Sequence, residues 1–222
     1  MTVSAVVFDL DGILVDTERV WTEAKHALVL EAGGRWRDDA EAAMFGMSGP
    51  EWSAYIRRDL AVGLPAEEIR RRVVDEVLRR FDERVPVIPG APEAVTAIAE
   101  RWPVGLASSA DRPVIDAVLR ALGLADVFSA SVASDEAGRG KPAPDVYLAA
   151  AARLGVAPEA AVAVEDSPNG MRSAKAAAMA LIAIPHPVTD GRAVALELAD
   201  VVLDSIGELT PRTVEQAGGG EG

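Results

Sequence analysis

From residue 104 onward, short unbroken apolar runs alternate with stretches whose apolar residues recur at helical spacing. VGLASS (104–109) precedes PVIDAVLRALG, AAVAVEDS (160–167) precedes GMRSAKAAAM, and ALIAIP and VVLDS follow with further helical material between them. Together with SAVVFD near the start, these runs read as strands in a βα alternation. Strands that are apolar throughout, rather than at every second residue, are covered on both faces, which is the condition of a parallel sheet. The expected architecture is α/β, a doubly wound parallel sheet.

Residues 18–84 break that rhythm. ERVWTEAKHALVLEAGG carries apolar residues at 20, 21, 24, 27 and 28 and stops at Gly33 and Gly34; PAEEIRRRVVDEVLRRF repeats them at 69, 73, 77 and 81. Both patterns predict amphipathic helices. Between them, Asp38 with Glu41 and Ser48 with Glu51 have the spacing of capping boxes and predict two more helix starts. ERVPVIPGAP (83–92), with its prolines, reads as a return linker. The expected division is a core of residues 1–17 and 85–212, an α-helical insertion over 18–84 and a disordered tail over 213–222, where QAGGGEG offers little to pack.

Composition narrows the partners. Half of the 222 residues are hydrophobic, enough for a proper core. A net charge of −13 has the wrong sign for gripping a phosphate backbone, so neither nucleic acid nor an anionic membrane is an expected partner. The absence of cysteine excludes disulfides, zinc-thiolate sites and thiol nucleophiles. MTVSAVVFDLDG has no basic n-region, so no secretory signal is expected, and AAAMALIAI (176–184) is too short to cross a bilayer. A cytoplasmic protein, monomeric or weakly dimeric, is the expectation.

In doubly wound sheets the ligand site lies outside the carboxyl ends of the strands, so the residues that terminate the apolar runs are informative. VVF ends in Asp9, with Asp11 next in the loop; VGLA ends in Ser108 and Ser109; AVAV ends in Glu165 and Asp166. The loop DEAGRGKPAPD (135–145) carries Lys141, one of three lysines in a chain with nineteen arginines. Close carboxylates oppose each other's ionisation unless a cation sits between them. Four acids, a hydroxyl and an ammonium at one sheet edge suit a magnesium ion and a phosphoryl group: the ion takes carboxylate oxygens, while Ser108 and Lys141 meet the phosphate oxygens. Each residue alone also reads as a helix cap, turn former or loop charge. Their joint order and strand-end placement does not. Thr17, Asp16 and Asp145 read as loop stabilisers, and Trp21, Trp36 and Trp52 as packing residues. Neither His26, within a helix pattern, nor His186, between prolines, suits a histidine mechanism.

DLDGILVDT, ASSADRP, GKPAPDVYLAAAARLG and VEDSPNGMRSAKAAAM resemble, in order and spacing, the four motifs of the haloacid dehalogenase-like (HAD) hydrolases. The likeness is greatest to the branch with a helical C1 cap inserted after the first motif, which contains phosphoglycolate phosphatase, sugar-phosphate phosphatases and β-phosphoglucomutase. It runs from residue 5 to about 209. The resemblance implies a Rossmannoid catalytic core with residues 18–84 as its cap. It also implies a magnesium-dependent phosphatase acting on a small phosphorylated metabolite, a sugar phosphate or a phosphoglycolate-like ester. Asp9 would be the nucleophile, forming an aspartyl-phosphate, and Asp11 the acid that protonates the leaving oxygen and then the base that activates water. Asp9, the backbone carbonyl of Asp11, and Asp166 would ligate Mg²⁺, with Glu165 direct or through water. Ser108, Ser109 and Lys141 would hold the phosphoryl oxygens.

Departures separate the chemistries of the family. Dehalogenases lack the second aspartate, which is present here as Asp11. Phosphonatases have alanine there and use a cap lysine; the cap lysine here is Lys25. β-Phosphoglucomutases typically carry a histidine where this chain has Trp21, which favours transfer to water, with the mutase as the alternative. A receiver-like phospho-acceptor domain fits less well, because its acceptor aspartate ends a later strand. Ala178 replaces a customary glycine and predicts slightly altered helix packing. Cap arginines such as Arg19, Arg35, Arg37, Arg57 and Arg58 are candidates for a second anionic group on the substrate.

Overall fold

The computed structural model describes residues 2–44, 47–185 and 191–219; His186 lies outside them. Six strands form the sheet: β1 (Ala5–Phe8), β2 (Val104–Ser108), β3 (Phe128–Ala133), β4 (Ala161–Glu165), β5 (Ala180–Ala183) and β6 (Val201–Val202). All pair in parallel in the order β3-β2-β1-β4-β5-β6. β3 has no counterpart among the expected strands, because FSASVA is interrupted by serines. Its edge position explains that composition, since its Ser129 faces solvent.

The helices, in chain order, are α1 (Glu18–Glu31), α2 (Ala40–Met44), α3 (Gly49–Asp59), α4 (Ala66–Glu83), α5 (Ala91–Ala99), α6 (Arg112–Ala121), α7 (Ser134–Ala137), α8 (Asp145–Leu154), α9 (Pro168–Ala176), α10 (Gly191–Leu198) and α11 (Pro211–Ala217). The period of the strands divides the core. Val6, Phe8, Leu106, Val162 and Ile182 pack with α5, α6 and α11, whereas Val7, Ala107, Ala163 and Leu181 pack with α8, α9 and α10. Fully burying one such Val or Phe contributes roughly 1.5–3 kcal/mol. Both faces are covered, as unbroken apolar strands require. No helix among the described residues is long and apolar enough to cross a membrane.

The inserted stretch is helical. Ile69, Val73, Val77 and Phe81 form the buried stripe of α4, which packs against α1 and α3 and touches α6. Arg70 adds a polar tie to the core, pairing with Asp111 and Asp135. Ser48 caps α3 as its spacing predicts: its amide and hydroxyl donate to Glu51 Oε2 at 2.8 and 2.6 Å. Asp38 does not cap a helix in the same way. α2 starts later, at Ala40, and Glu41 accepts from the Thr22 hydroxyl instead. The two crossings between insertion and core run side by side. The Asp16 amide donates to the Pro86 carbonyl at 2.8 Å, and that of Ile88 to Leu14 at 3.0 Å.

One expectation is corrected. Residues 213–217 are not disordered: they belong to α11, whose first turn is capped by Thr210 and whose Val214 and Ala217 are buried. Ala178 bears on how a helix ends. It is the left-handed residue (φ 62°) that closes α9, where the amides of Ala178 and Met179 return to the Lys175 and Ala174 carbonyls.

Candidate active site

The strand order reverses direction of growth between β1 and β4, where a doubly wound sheet opens its binding crevice. Phe8 pairs with Val164, so the next residue on each strand, Asp9 and Glu165, meets the other at the crevice floor. Asp9 stays locked to the sheet, its amide donating to the Val164 carbonyl at 3.0 Å. Gly12 then turns the chain at φ 81°; a Cβ there would fall inside the Asp166 carboxylate, so glycine is required for both turn and approach. The turn brings Asp11 back toward the site, where the Thr17 hydroxyl donates to its carboxylate.

Lys141 is the buried cation of the cluster. Its Nζ donates to Asp9 Oδ1 at 2.8 Å and to Glu165 Oε1 at 2.6 Å. Burial opposes its charge, but Asp9 and Glu165 outweigh that and hold its pKa above the ordinary lysine value. Glu165, fully buried, also accepts from the Tyr147 hydroxyl at 3.1 Å, and its Oε2 takes the Asp166 and Ser167 amides, both at 2.9 Å. The Ser167 hydroxyl completes this shell and caps α9 by accepting from the Gly170 amide.

The remaining acids carry the cost of proximity. Burial pushes the Asp9 pKa up to about 7; Lys141 opposes this, and Glu165 and Asp11 add to it. Asp166 is raised well above the usual carboxylate range by burial and then by Glu165 and Asp9. Asp11 is raised by burial, against the hydrogen bond from Thr17. Oxygens of Asp9, Glu165 and Asp166 all lie within 4.8 Å of one another. An all-oxygen donor set with negative charge that one lysine does not neutralise fits a hard divalent cation. Asp9 and Asp166 are the better-placed donors, because five protein groups already engage the Glu165 carboxylate.

A cavity opens above this cluster. Its floor is lined by Asp9, Asp11, Lys141, Asp166, Ser109 and Asn169, and its roof by residues of the insertion. Ser108 is buried beneath it, with its hydroxyl accepting from the Ala110 amide at 3.0 Å; Ser109 is the serine at the cavity wall. Trp21 and Trp52 pack as the sequence reading has them, Trp52 within the main core cluster and Trp21 against it, and both also line the cavity; Trp36 meets the His26 ring edge-on. None of Arg19, Arg35, Arg37, Arg57 and Arg58 lines it: Arg19, Arg37 and Arg58 pair with neighbouring acids at the surface. Lys25 is the insertion's cation there. Asp16 and Thr17 line the cavity too, while Asp145 accepts from Arg139 outside it. Asn169 and Tyr147 had no sequence signal beyond their place in segments already singled out.

The fold, the floor of acids and the lysine define a class that comparison with known proteins identifies. Residues 3–178 match the haloacid dehalogenase-like hydrolases, and the chain belongs to that family. It is 37% identical over 216 residues to hexitol phosphatase B of Escherichia coli K12, spanning 94% of this chain and 95% of that one. A phosphorylated carbohydrates phosphatase of Thermotoga maritima is 33% identical over 201 residues, covering 90% and 93%. Among solved structures, a mutant of CbbY from Rhodobacter sphaeroides in complex with xylulose-1,5-bisphosphate superposes with a TM-score of 0.85 at 30% identity, covering 96% of this chain and 99% of that one.

Proposed function

We propose that this hydrolase is a magnesium-dependent phosphatase that cleaves small phosphorylated metabolites of the sugar-phosphate kind through an aspartyl-phosphate on Asp9. The observation that carries the reading is the convergence of Asp9, Asp11, Lys141 and Asp166, from three separate loops, on the floor of one cavity. Hexitol phosphatase B and the phosphorylated carbohydrates phosphatase support the same substrate kind. Residues 1–17 with 85–212 act as the catalytic core in this reading, and 18–84 as its cap.

Asp9 and Asp166, with the Asp11 carbonyl, would hold a magnesium ion, which when bound would supply positive charge against the phosphoryl oxygens. Lys141 favours the ionised form of the Asp9 carboxylate and holds it in position, so that a free oxygen attacks phosphorus while the ester oxygen leaves. Asp11 keeps its proton more readily than an exposed aspartate, and Thr17 orients it. It gives that proton to the leaving oxygen and later takes one from the water that cleaves the acyl-phosphate. Ser109 and nearby amides receive the phosphoryl oxygens, with Ser108 shaping the turn that presents them. Closure of the cap excludes bulk water during the first transfer.

Trp21 lines the cavity where a mutase carries histidine, and an indole has no titrating group to serve a sugar hydroxyl. Incubated with hexose, pentose and hexitol phosphates in magnesium, the purified protein is expected to release inorganic phosphate. EDTA and Asp9→Asn should each reduce turnover to background. Turnover that persists under either condition would overturn the mechanism, and conversion of β-glucose 1-phosphate to the 6-phosphate without phosphate release would establish the mutase instead.

A further inference from the structure

Arg70 lies on α4 of the insertion, yet both of its partners belong to the core. Its Nε donates to Asp111 Oδ1 and its Nη2 to Asp135 Oδ2. Asp111 ends the stretch that leaves β2 through Ser108 and Ser109, and Asp135, in α7, heads the loop that carries Lys141. One guanidinium therefore grips both segments that bring Ser109 and Lys141 to the cavity, which Arg70 itself does not line. Asp111 precedes α6, a position where an aspartate ordinarily accepts from the second or third amide of its own helix. Here Pro113 has no amide to offer, the Val114 amide donates to the Asp111 carbonyl at 2.9 Å, and the carboxylate makes no bond to its own helix. It is buried, and its Oδ2 has no hydrogen-bond partner among the described residues. An acid that forgoes its helix cap and buries an unsatisfied oxygen is costly, and a buried ion pair is weak grounds for a gain in stability.

Two glycines admit this arrangement. Gly49 begins α3, and a Cβ there would stand 2.6 Å from Arg70 Nε. Gly140, next to Lys141, meets the same helix start from the core, and its Cβ would stand 2.9 Å from Glu51 Oε2. The start of α3 thus lies against both Arg70 and the Lys141 loop. Arg112 joins the same two core segments by pairing with Glu136, so what Arg70 adds is the insertion. We propose that Arg70 is a positioning residue for the hydrolysis. By holding Asp111 and Asp135 at once, it fixes Ser109 and Lys141 in register with each other and with the insertion that roofs the cavity. The inference rests on the phosphatase reading above and adds to it a residue that acts only through others.

The test measures kcat and KM, in magnesium, for a hexose 6-phosphate and for p-nitrophenyl phosphate. Displacement of reacting groups by about 1 Å from a distant change costs up to about a hundredfold in rate. Arg70→Gln is therefore expected to lower kcat and kcat/KM together by about tenfold or more, leaving KM within about twofold, as loss of an alignment felt in the transition state requires. The fall should be the same for both esters, because Arg70 touches neither. Arg70→Lys keeps the charge without the fork that spans two acids, and should recover part of the loss. Arg70→Gln leaves Asp111 buried without its partner; the double variant Arg70→Gln/Asp111→Asn removes both charges and carries the same comparison where the single variant does not fold. A folded variant that keeps wild-type kcat makes the tie structural only and overturns the inference. A loss carried by KM alone, or confined to one ester, overturns it too. In each of these cases, wild-type release of phosphate from either ester leaves the phosphatase reading standing. Wild-type protein that releases phosphate from neither ester overturns that reading and the inference with it.

Discussion

Glu165 accepts from Lys141, Tyr147, two backbone amides and the Ser167 hydroxyl, so its carboxylate is satisfied by protein alone. It steadies Lys141 and the turn that carries Asp166. Tyr147→Phe removes one donor from this buried anion and leaves the packing intact. It is expected to cost about 1.5–3 kcal/mol of stability, as measured by urea unfolding. The acids and Lys141 were legible in the sequence because charge at the end of an apolar strand, or a lysine in an arginine-rich chain, departs from its surroundings. Thr17, Tyr147 and Asn169 were not, since hydroxyls and amides that orient a charge have the same local pattern as those that merely close a turn. Trp21 and Trp52 pack as read, and their additional place at the cavity was hidden for a related reason. A tryptophan at helical spacing looks the same whether its ring faces a core or a cavity, and only the packing of α1 against its neighbours decides.

At the scale of elements, the alternation of strands and helices was legible because parallel strands are apolar along their whole length. β3 escaped because an edge strand tolerates serine on its open face. The helical insertion was legible from α4, whose buried residues keep strict spacing, more than from α2, which is one short turn. Ala178 belongs to this scale because its left-handed backbone terminates α9. An L-residue with a Cβ carries roughly 1–2 kcal/mol of strain there, and glycine gives back about 0.4–1 kcal/mol in the unfolded chain. Ala178→Gly is therefore expected to stabilise the protein by about 0.5–1 kcal/mol, visible as a higher urea midpoint with unchanged slope.

For the molecule as a whole, acid is the condition that loosens the core's outer ties. Glu136 accepts from Arg112 and Arg153, joining α6, α7 and α8. The hydrogen bond from Arg112 is the main cause of a pKa lowered to about 2 from an ordinary 4.5. A depressed carboxylate pKa gives stability that is complete above the unfolded value and lost as pH falls through the folded one. The melting temperature should thus decline between pH 4.5 and about 2, and Glu136→Gln should remove part of that slope while lowering stability at neutral pH. The parallel sheet also sets an order of events during synthesis. β1 is made first and stands at the centre, yet its partners are β2, beginning at Val104, and β4, beginning at Ala161. Asp9 meets Lys141 across a sequence separation of 132. On the ribosome the first strand must wait, apolar and unpaired, until β2 has emerged, and on its other side until β4 has, and loop closure over those lengths makes folding slow. Asp9, the proposed nucleophile, is among the first residues to be made and among the last to find its surroundings.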